Sequence, residues 1–134
     1  MKNAEFSLTC AKRKGRNRLI FFTHEIMQNE EKALRLTRLL RESIDNQFEG
    51  FQLHYQPLIQ AGTKKVCGAE ALIRWKCEEL GMVSPAEMIP ILEENLLIIP
   101  LGKWILRQAS LTKEKWRKVN PDLYISVNLS YIQL

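Results

Sequence analysis

The apolar positions of this chain change their period near Gly50. Before it, Ile26, Leu34, Leu36, Leu39, Leu40 and Ile44 partly follow helical spacing, with Glu30, Glu31, Lys32, Arg35, Arg38 and Arg41 among them. The pattern predicts a helix from Thr23, a candidate cap, to about Asn46. One stripe of it needs a partner and the rest is solvated, which suits a linker helix better than a central core helix. Upstream, residues 7–14 read as the end of a helix closed by Gly15, and Arg18–Phe22 as a short strand built on an apolar run.

After Gly50 the period becomes two. Phe51, Leu53 and Tyr55 alternate with polar residues, and Val66 to Trp75 is a second strand-like stretch. The connection Gln60-Ala61-Gly62-Thr63-Lys64 is short, whereas parallel neighbours need a crossover of about a dozen residues, so the pair is expected to be an antiparallel hairpin. Ser84-Pro85-Ala86-Glu87 reads as a helix start: a serine cap, proline at the first helical position, and a glutamate placed to close a capping box. That helix should reach about Glu94. A longer one follows from about Leu101 to Val119, with Leu101, Trp104, Ile105, Gln108 and Ala109 on one face, and Asn120-Pro121 ends it. Tyr124–Leu129 then reads as a strand. The order strand, strand, helix, helix, strand predicts an α/β class with parallel pairing in its second half.

Composition adds bounds. A 134-residue chain with 46% hydrophobic and 26% charged residues fits a folded domain and excludes wholesale disorder. The net charge of +5 is spread evenly, with ten basic and seven acidic residues in 1–50 and ten and eight in 51–134. Such an excess suits an anionic small molecule as well as nucleic acid. Cys10, Cys67 and Cys77 form no CxxC pair, which argues against a disulfide framework or a zinc site. The longest apolar run, Leu96–Leu101, contains Pro100 and is too short to span a bilayer. No signal peptide is expected from the first residues of the sequence. A cytoplasmic setting is expected, with any membrane anchor of a parent protein lying on sequence not present here.

The candidate chemistry lies on the strands. Glu70 shares parity with Gly68, Leu72 and Arg74, so these residues face one side of the sheet. Carboxylate oxygens suit magnesium, manganese or calcium, and a guanidinium can clamp a phosphate. Taken alone, a structural Glu70–Arg74 ion pair is the simpler account. Asn128 offers a second hard oxygen, or a turn cap reaching through Ser130. Gln56 sits where it can hydrogen-bond a ligand, or be an edge polar group. His24 and His54 have no acid at an activating or metal-binding spacing and are assigned no role. Trp75, Trp104 and Trp116 read as packing residues. Lys12, Arg13, Lys14, Arg16 and Arg18 form a basic cluster without interleaved aromatics, which reads as a solvated helix end rather than a nucleic-acid surface.

Five ordered blocks, FQLHYQPLI, VCGAEALIRW, ELGMVSPAEMIPILEE, IIPLGKWIL and ISVNLSYIQL, make Phe51–Leu134 similar to the first part of an EAL-type cyclic-di-GMP phosphodiesterase domain. Upstream, CAKRKGRNRLIFF resembles the last helix and strand of a GGDEF-type diguanylate cyclase domain. The chain therefore resembles the junction of a tandem signalling protein: 1–22 the cyclase tail, 23–48 a linker helix, and 49–134 the N-terminal part of an EAL domain. The resemblance implies part of a TIM-like (β/α) barrel whose first strand is antiparallel to the second. It implies hydrolysis of cyclic-di-GMP to pGpG with Mg2+ or Mn2+. It makes Glu70 and Asn128 metal ligands and places Gln56, Leu72 and Arg74 around the nucleotide, Arg74 nearest a phosphate. Cys77-Glu78 stands where the family commonly has His-Pro, and Tyr131-Ile132 replaces a more usual Pro-Arg.

A complete barrel of this kind takes about 200 residues or more, and 84 follow residue 50 (134 − 50). The isolated chain is therefore expected to be inactive, and the activity to belong to a longer parent. The GGDEF signature is missing too, which excludes cyclase activity. An alternative is a non-catalytic cyclic-di-GMP signalling or self-association module, pairing through an exposed strand edge as a homo-oligomer. A nucleic-acid binder using Lys12–Arg18 is a more distant alternative, and no nucleic-acid partner is expected.

Overall fold

The computed structural model describes residues 24–134. The readings of 7–14, Arg18–Phe22 and the Thr23 cap, and the basic cluster with them, lie outside the described residues. The chain divides into two compact units, Met1–Leu36 and Thr37–Leu134. The boundary falls within helix α1, His24–Asp45. The helix is continuous at the expected place because nothing between His24 and Asp45 breaks it: no glycine or proline occurs there.

In the larger unit, α1 ends in a tight turn. Gln47 and Phe48 take left-handed backbone (φ 56° and 61°), and Gly50 follows at φ 83°. A Cβ on Gly50 would lie 2.2 Å from the Lys76 carbonyl oxygen, and Lys76 N–H donates to the Gly50 carbonyl at 3.1 Å. Only glycine allows the chain to enter the sheet this closely.

Strands β1 (Phe51–Ile59) and β2 (Val66–Cys77) form the expected antiparallel hairpin, with Phe51 opposite Trp75 and Gln56 opposite Glu70. A short strand β3 (Gly81–Val83) pairs antiparallel with the end of β2. Strand β4 (Tyr124–Val127) pairs parallel with β2, Glu70 lying opposite Ser126. Trp75 is bonded in register to both Phe51 and Val83, and Ala69 to both Pro57 and Ile125. So β1 fills one edge of β2, while β4 and β3 share the other, end to end.

Helices α2 (Pro85–Glu94) and α3 (Ile98–Arg117) connect β3 to β4. The structure differs from the sequence reading in detail: α3 ends at Arg117 rather than Val119, and β4 at Val127 rather than Leu129. Helix α3 begins at Ile98 and takes Pro100 into its first turn, where the missing N–H has no intrahelical acceptor in any case. At the start of α2 the capping box does not form. Ser84 makes no side-chain cap; its carbonyl accepts from the N–H groups of Glu87 (3.0 Å) and Met88 (3.1 Å), so the backbone closes the turn.

The core lies between one face of the sheet and these helices. Leu39, Leu40 and Ile44 of α1, Phe51, Ala69, Ala71 and Trp75 of the sheet, Met88 and Leu92 of α2, and Leu101, Ile105 and Ala109 of α3 are buried. The tryptophans pack, as expected. Trp75 is 0% exposed, stacks on Phe51 (centroids 5.8 Å) and donates its indole N–H to Ser43 Oγ at 3.0 Å. Trp104 stacks on Phe48 at 5.4 Å, and Trp116 meets Tyr55 edge-on at 5.1 Å. The Tyr55 hydroxyl donates to Thr112 Oγ1 at 2.9 Å, so its polar end is satisfied within the interface.

Candidate functional site

Strand pleating sends alternate residues to opposite faces, and register sets which of them are neighbours. With the odd-numbered residues of β1 and β2 turned to the helices, the even-numbered ones form a second, more polar face. Gln52, His54 and Gln56 of β1 lie opposite Arg74, Leu72 and Glu70 of β2, and Ser126 lies on the far side of Glu70. Gln56, Glu70 and Ser126 thus form one row across three strands. His54, assigned no role from sequence, sits on the same face opposite Leu72.

Asn128 joins this row from beyond the end of β4. The parallel register places Val127 opposite Ala71, so the next residue with the parity of Ser126 emerges level with the middle of β2. Its side-chain amide Nδ2 donates to Glu70 Oε1 at 2.7 Å. Two residues 58 positions apart in sequence therefore touch through their functional groups. The carbonyl oxygen on the other branch of the same amide is consequently a close neighbour of the carboxylate. A carboxylate and an amide carbonyl, both partly open to solvent, are the oxygen donors that Mg2+ or Mn2+ takes. Among the described residues, no group of three or more His, Cys, Asp or Glu side chains gathers as a metal-binding cluster.

The simpler account of Glu70 and Arg74 as an ion pair does not hold. Glu70 is engaged by Asn128, and the Arg74 guanidinium donates to the Ile73 carbonyl at 2.8 Å. The strand pleat explains it: four positions along β2 carry the two head groups apart, although they share a face. Arg74 instead lines a cavity of about 260 Å3 whose walls are mainly apolar, Ile73, Ile89, Ile98 and Ile105 among them, with Leu72 and Asn128 also lining it. Gln56 borders Glu70 across the strands but does not line this cavity. Sequence reasoning thus finds residues that the fold brings onto one face, with Glu70 and Asn128 in direct contact.

Other residues at the site were not singled out from sequence. Ser130 caps a short 3-10 turn, Tyr131–Gln133, in a capping box: Ser130 Oγ accepts from Ile132 N–H at 3.3 Å, and Gln133 Oε1 accepts from Ser130 N–H at 2.8 Å. The Ser130 hydroxyl also donates to Glu93 Oε1 of α2 at 2.7 Å. The signal was present as Ser-x-x-Gln, the signature expected of such a box. Among the described residues, two groups outside the site have displaced titrations. Arg38 is held above its ordinary value by its hydrogen bond to Glu42, and Tyr124 above its ordinary 10.0 by its hydrogen bond with Cys67.

A family model described as the EAL domain matches residues 37–134. The chain belongs to the EAL domain family. An uncharacterized signaling protein of Caulobacter vibrioides is 44% identical over 135 residues, covering 100% of this chain and 16% of that protein. The bifunctional diguanylate cyclase/cyclic di-GMP phosphodiesterase MucR of Pseudomonas aeruginosa is 34% identical over 134 residues, covering 99% of this chain and 19% of that one. Among solved structures, the PaMucR phosphodiesterase in its c-di-GMP complex superposes with a TM-score of 0.64 at 31% identity, over 72% of this chain and 38% of that chain. The chain therefore spans a small part of the relatives it matches. Its α/β architecture, antiparallel first hairpin included, is part of the TIM-like barrel of EAL domains. Among the described residues no helix is long and apolar enough to cross a membrane.

Proposed function

We propose that this chain supplies part of the active site of a metal-dependent cyclic-di-GMP phosphodiesterase. Glu70 and Asn128 are two of its metal ligands, Arg74 binds a phosphate, and Leu72 and Gln56 border the nucleotide. The observation that carries the reading is the 2.7 Å contact between Asn128 and Glu70, which brings a carboxylate and an amide together on one face of the sheet. Held by Glu70 and Asn128, a divalent ion would supply charge to neutralise phosphoryl oxygens and would activate water for attack on the ester. The chain's own contribution is to hold the two donors level and to keep Arg74 on the same face. In the same reading, 1–22 is the tail of a GGDEF-type domain and 23–48 the linker. The sequence CAKRKGRNRLIFF and the bifunctional relative support that assignment.

The test is a titration of the isotopically labelled chain with Mn2+, followed by NMR. Paramagnetic broadening is expected first at Glu70 and Asn128, with Glu70→Gln abolishing it. Cyclic-di-GMP added after the metal should then shift the Arg74 side-chain signal. Broadening spread evenly over surface carboxylates, or unchanged in Glu70→Gln, would falsify the ligand assignment.

A further inference from the structure

The segment that carries Asn128 is tied to the helices by a buckle built from separate elements. Ser130, two residues beyond Asn128, sits at its centre. Its hydroxyl donates to Glu93 Oε1 of α2 at 2.7 Å and accepts from Ile132 N–H at 3.3 Å. Its backbone N–H is taken by Gln133 Oε1 at 2.8 Å. The Gln133 amide lies directly over Gly102 of α3: a Cβ there would come within 1.5 Å of Gln133 Nε2. Gly102 is itself buried. A glycine in the second turn of a helix costs helix stability relative to alanine, so its presence there needs a reason, and the seat for Gln133 is one.

We infer that Ser130, with Glu93 and Gln133, is a positioning residue for Asn128. The Asn128 side chain bonds Glu70 across the sheet, and β4 has already ended at Val127. A side chain beyond the end of a strand needs its backbone fixed from the other side. The buckle does this with a carboxylate that belongs to a different helix from the glycine seat, so α2 and α3 both set where Asn128 points. Its consequence for metal binding rests on the reading of Asn128 as a ligand; the buckle itself does not. Partners that orient a ligand typically change metal affinity by about 10- to 100-fold when removed.

The experiment uses the full chain. Scalar couplings to the Asn128 β-protons report its χ1 rotamer without any metal. They should show one rotamer in the parent chain, averaging in Ser130→Ala and in Gly102→Ala, and recovery in Ser130→Thr, which keeps the hydroxyl. Gly102→Ala matters because the three atoms nearest its added methyl all belong to Gln133 and none to Asn128, so a purely structural role predicts no change of the Asn128 rotamer. An unaveraged rotamer in both alanine variants overturns the inference, even if their melting temperatures fall. Mn2+ affinity in Ser130→Ala should drop about 10- to 100-fold. Averaging of the rotamer together with absent Mn2+ binding in the parent chain would uphold the buckle and sink the ligand reading instead.

Discussion

The two faces of the β1–β2 hairpin are made by alternate residues of the same strands, yet they do different work. On the helix side, Phe51, Ala69, Ala71 and Trp75 are buried, and Trp75 alone joins β1, β3 and the end of α1. On the other side, Gln52, His54 and Gln56 are exposed, and Glu70, Leu72 and Arg74 are only half-buried. One residue of displacement along a strand thus separates holding the fold from carrying the chemistry. The difference teaches that substitutions on the polar face should cost this unit less stability than substitutions on the helix side.

That contrast can be broken or sharpened by substitution. Trp75→Ala removes a fully buried ring, its stacking on Phe51 and the hydrogen bond to Ser43. A loss of about 3–5 kcal/mol in chemical denaturation is expected; a small loss would mean that the helix side is not the seat of stability. Tyr55→Phe keeps the ring against Trp116 and removes only the bond to Thr112. The expected cost is about 1 kcal/mol, in the range for one part-buried hydrogen bond. Glu70→Gln, on the polar face, retains an oxygen that can accept from Asn128, and should change stability by less than about 0.5 kcal/mol. If its cost rivalled that of Tyr55→Phe, the polar face would have to be counted among the elements that hold the sheet.

Most of this division was legible in the sequence because it rests on parity. The alternation of Phe51, Leu53 and Tyr55 gave the buried face of β1, and the short Gln60–Lys64 connection gave the antiparallel hairpin. Glu70, Leu72 and Arg74 share a face as expected. The spacing alone did not reveal that Asn128 reaches Glu70, since parallel register across 58 positions is a tertiary fact. Strand β3, three residues long, is too short to show a period. The capping signatures illustrate a subtler limit. Ser84-Pro85-Ala86-Glu87 and Ser130-Tyr131-Ile132-Gln133 both carry the pattern, and only the second forms the box. At Ser84 the backbone carbonyl already takes the first helical N–H groups, whereas at Ser130 the box is reinforced by Glu93 and by the open seat above Gly102.

The parallel pairing of β2 with β4 has a consequence for how the chain is made. Ser126 lies 56 positions after Glu70 (126 − 70), the residue it faces. At a synthesis rate of about 5–20 residues per second, β2 waits roughly 3–11 s on the ribosome with one edge open. During that interval the β1 hairpin can form locally, since its partners are close in sequence, but the β4 edge cannot. The Gly68–Ala71 stretch of β2, which β4 later covers, is in that interval an open edge able to pair with a neighbouring nascent chain. Translation speed through residues 70–126, and holding factors that cover an open strand edge, therefore bear directly on how much correctly folded protein a cell obtains.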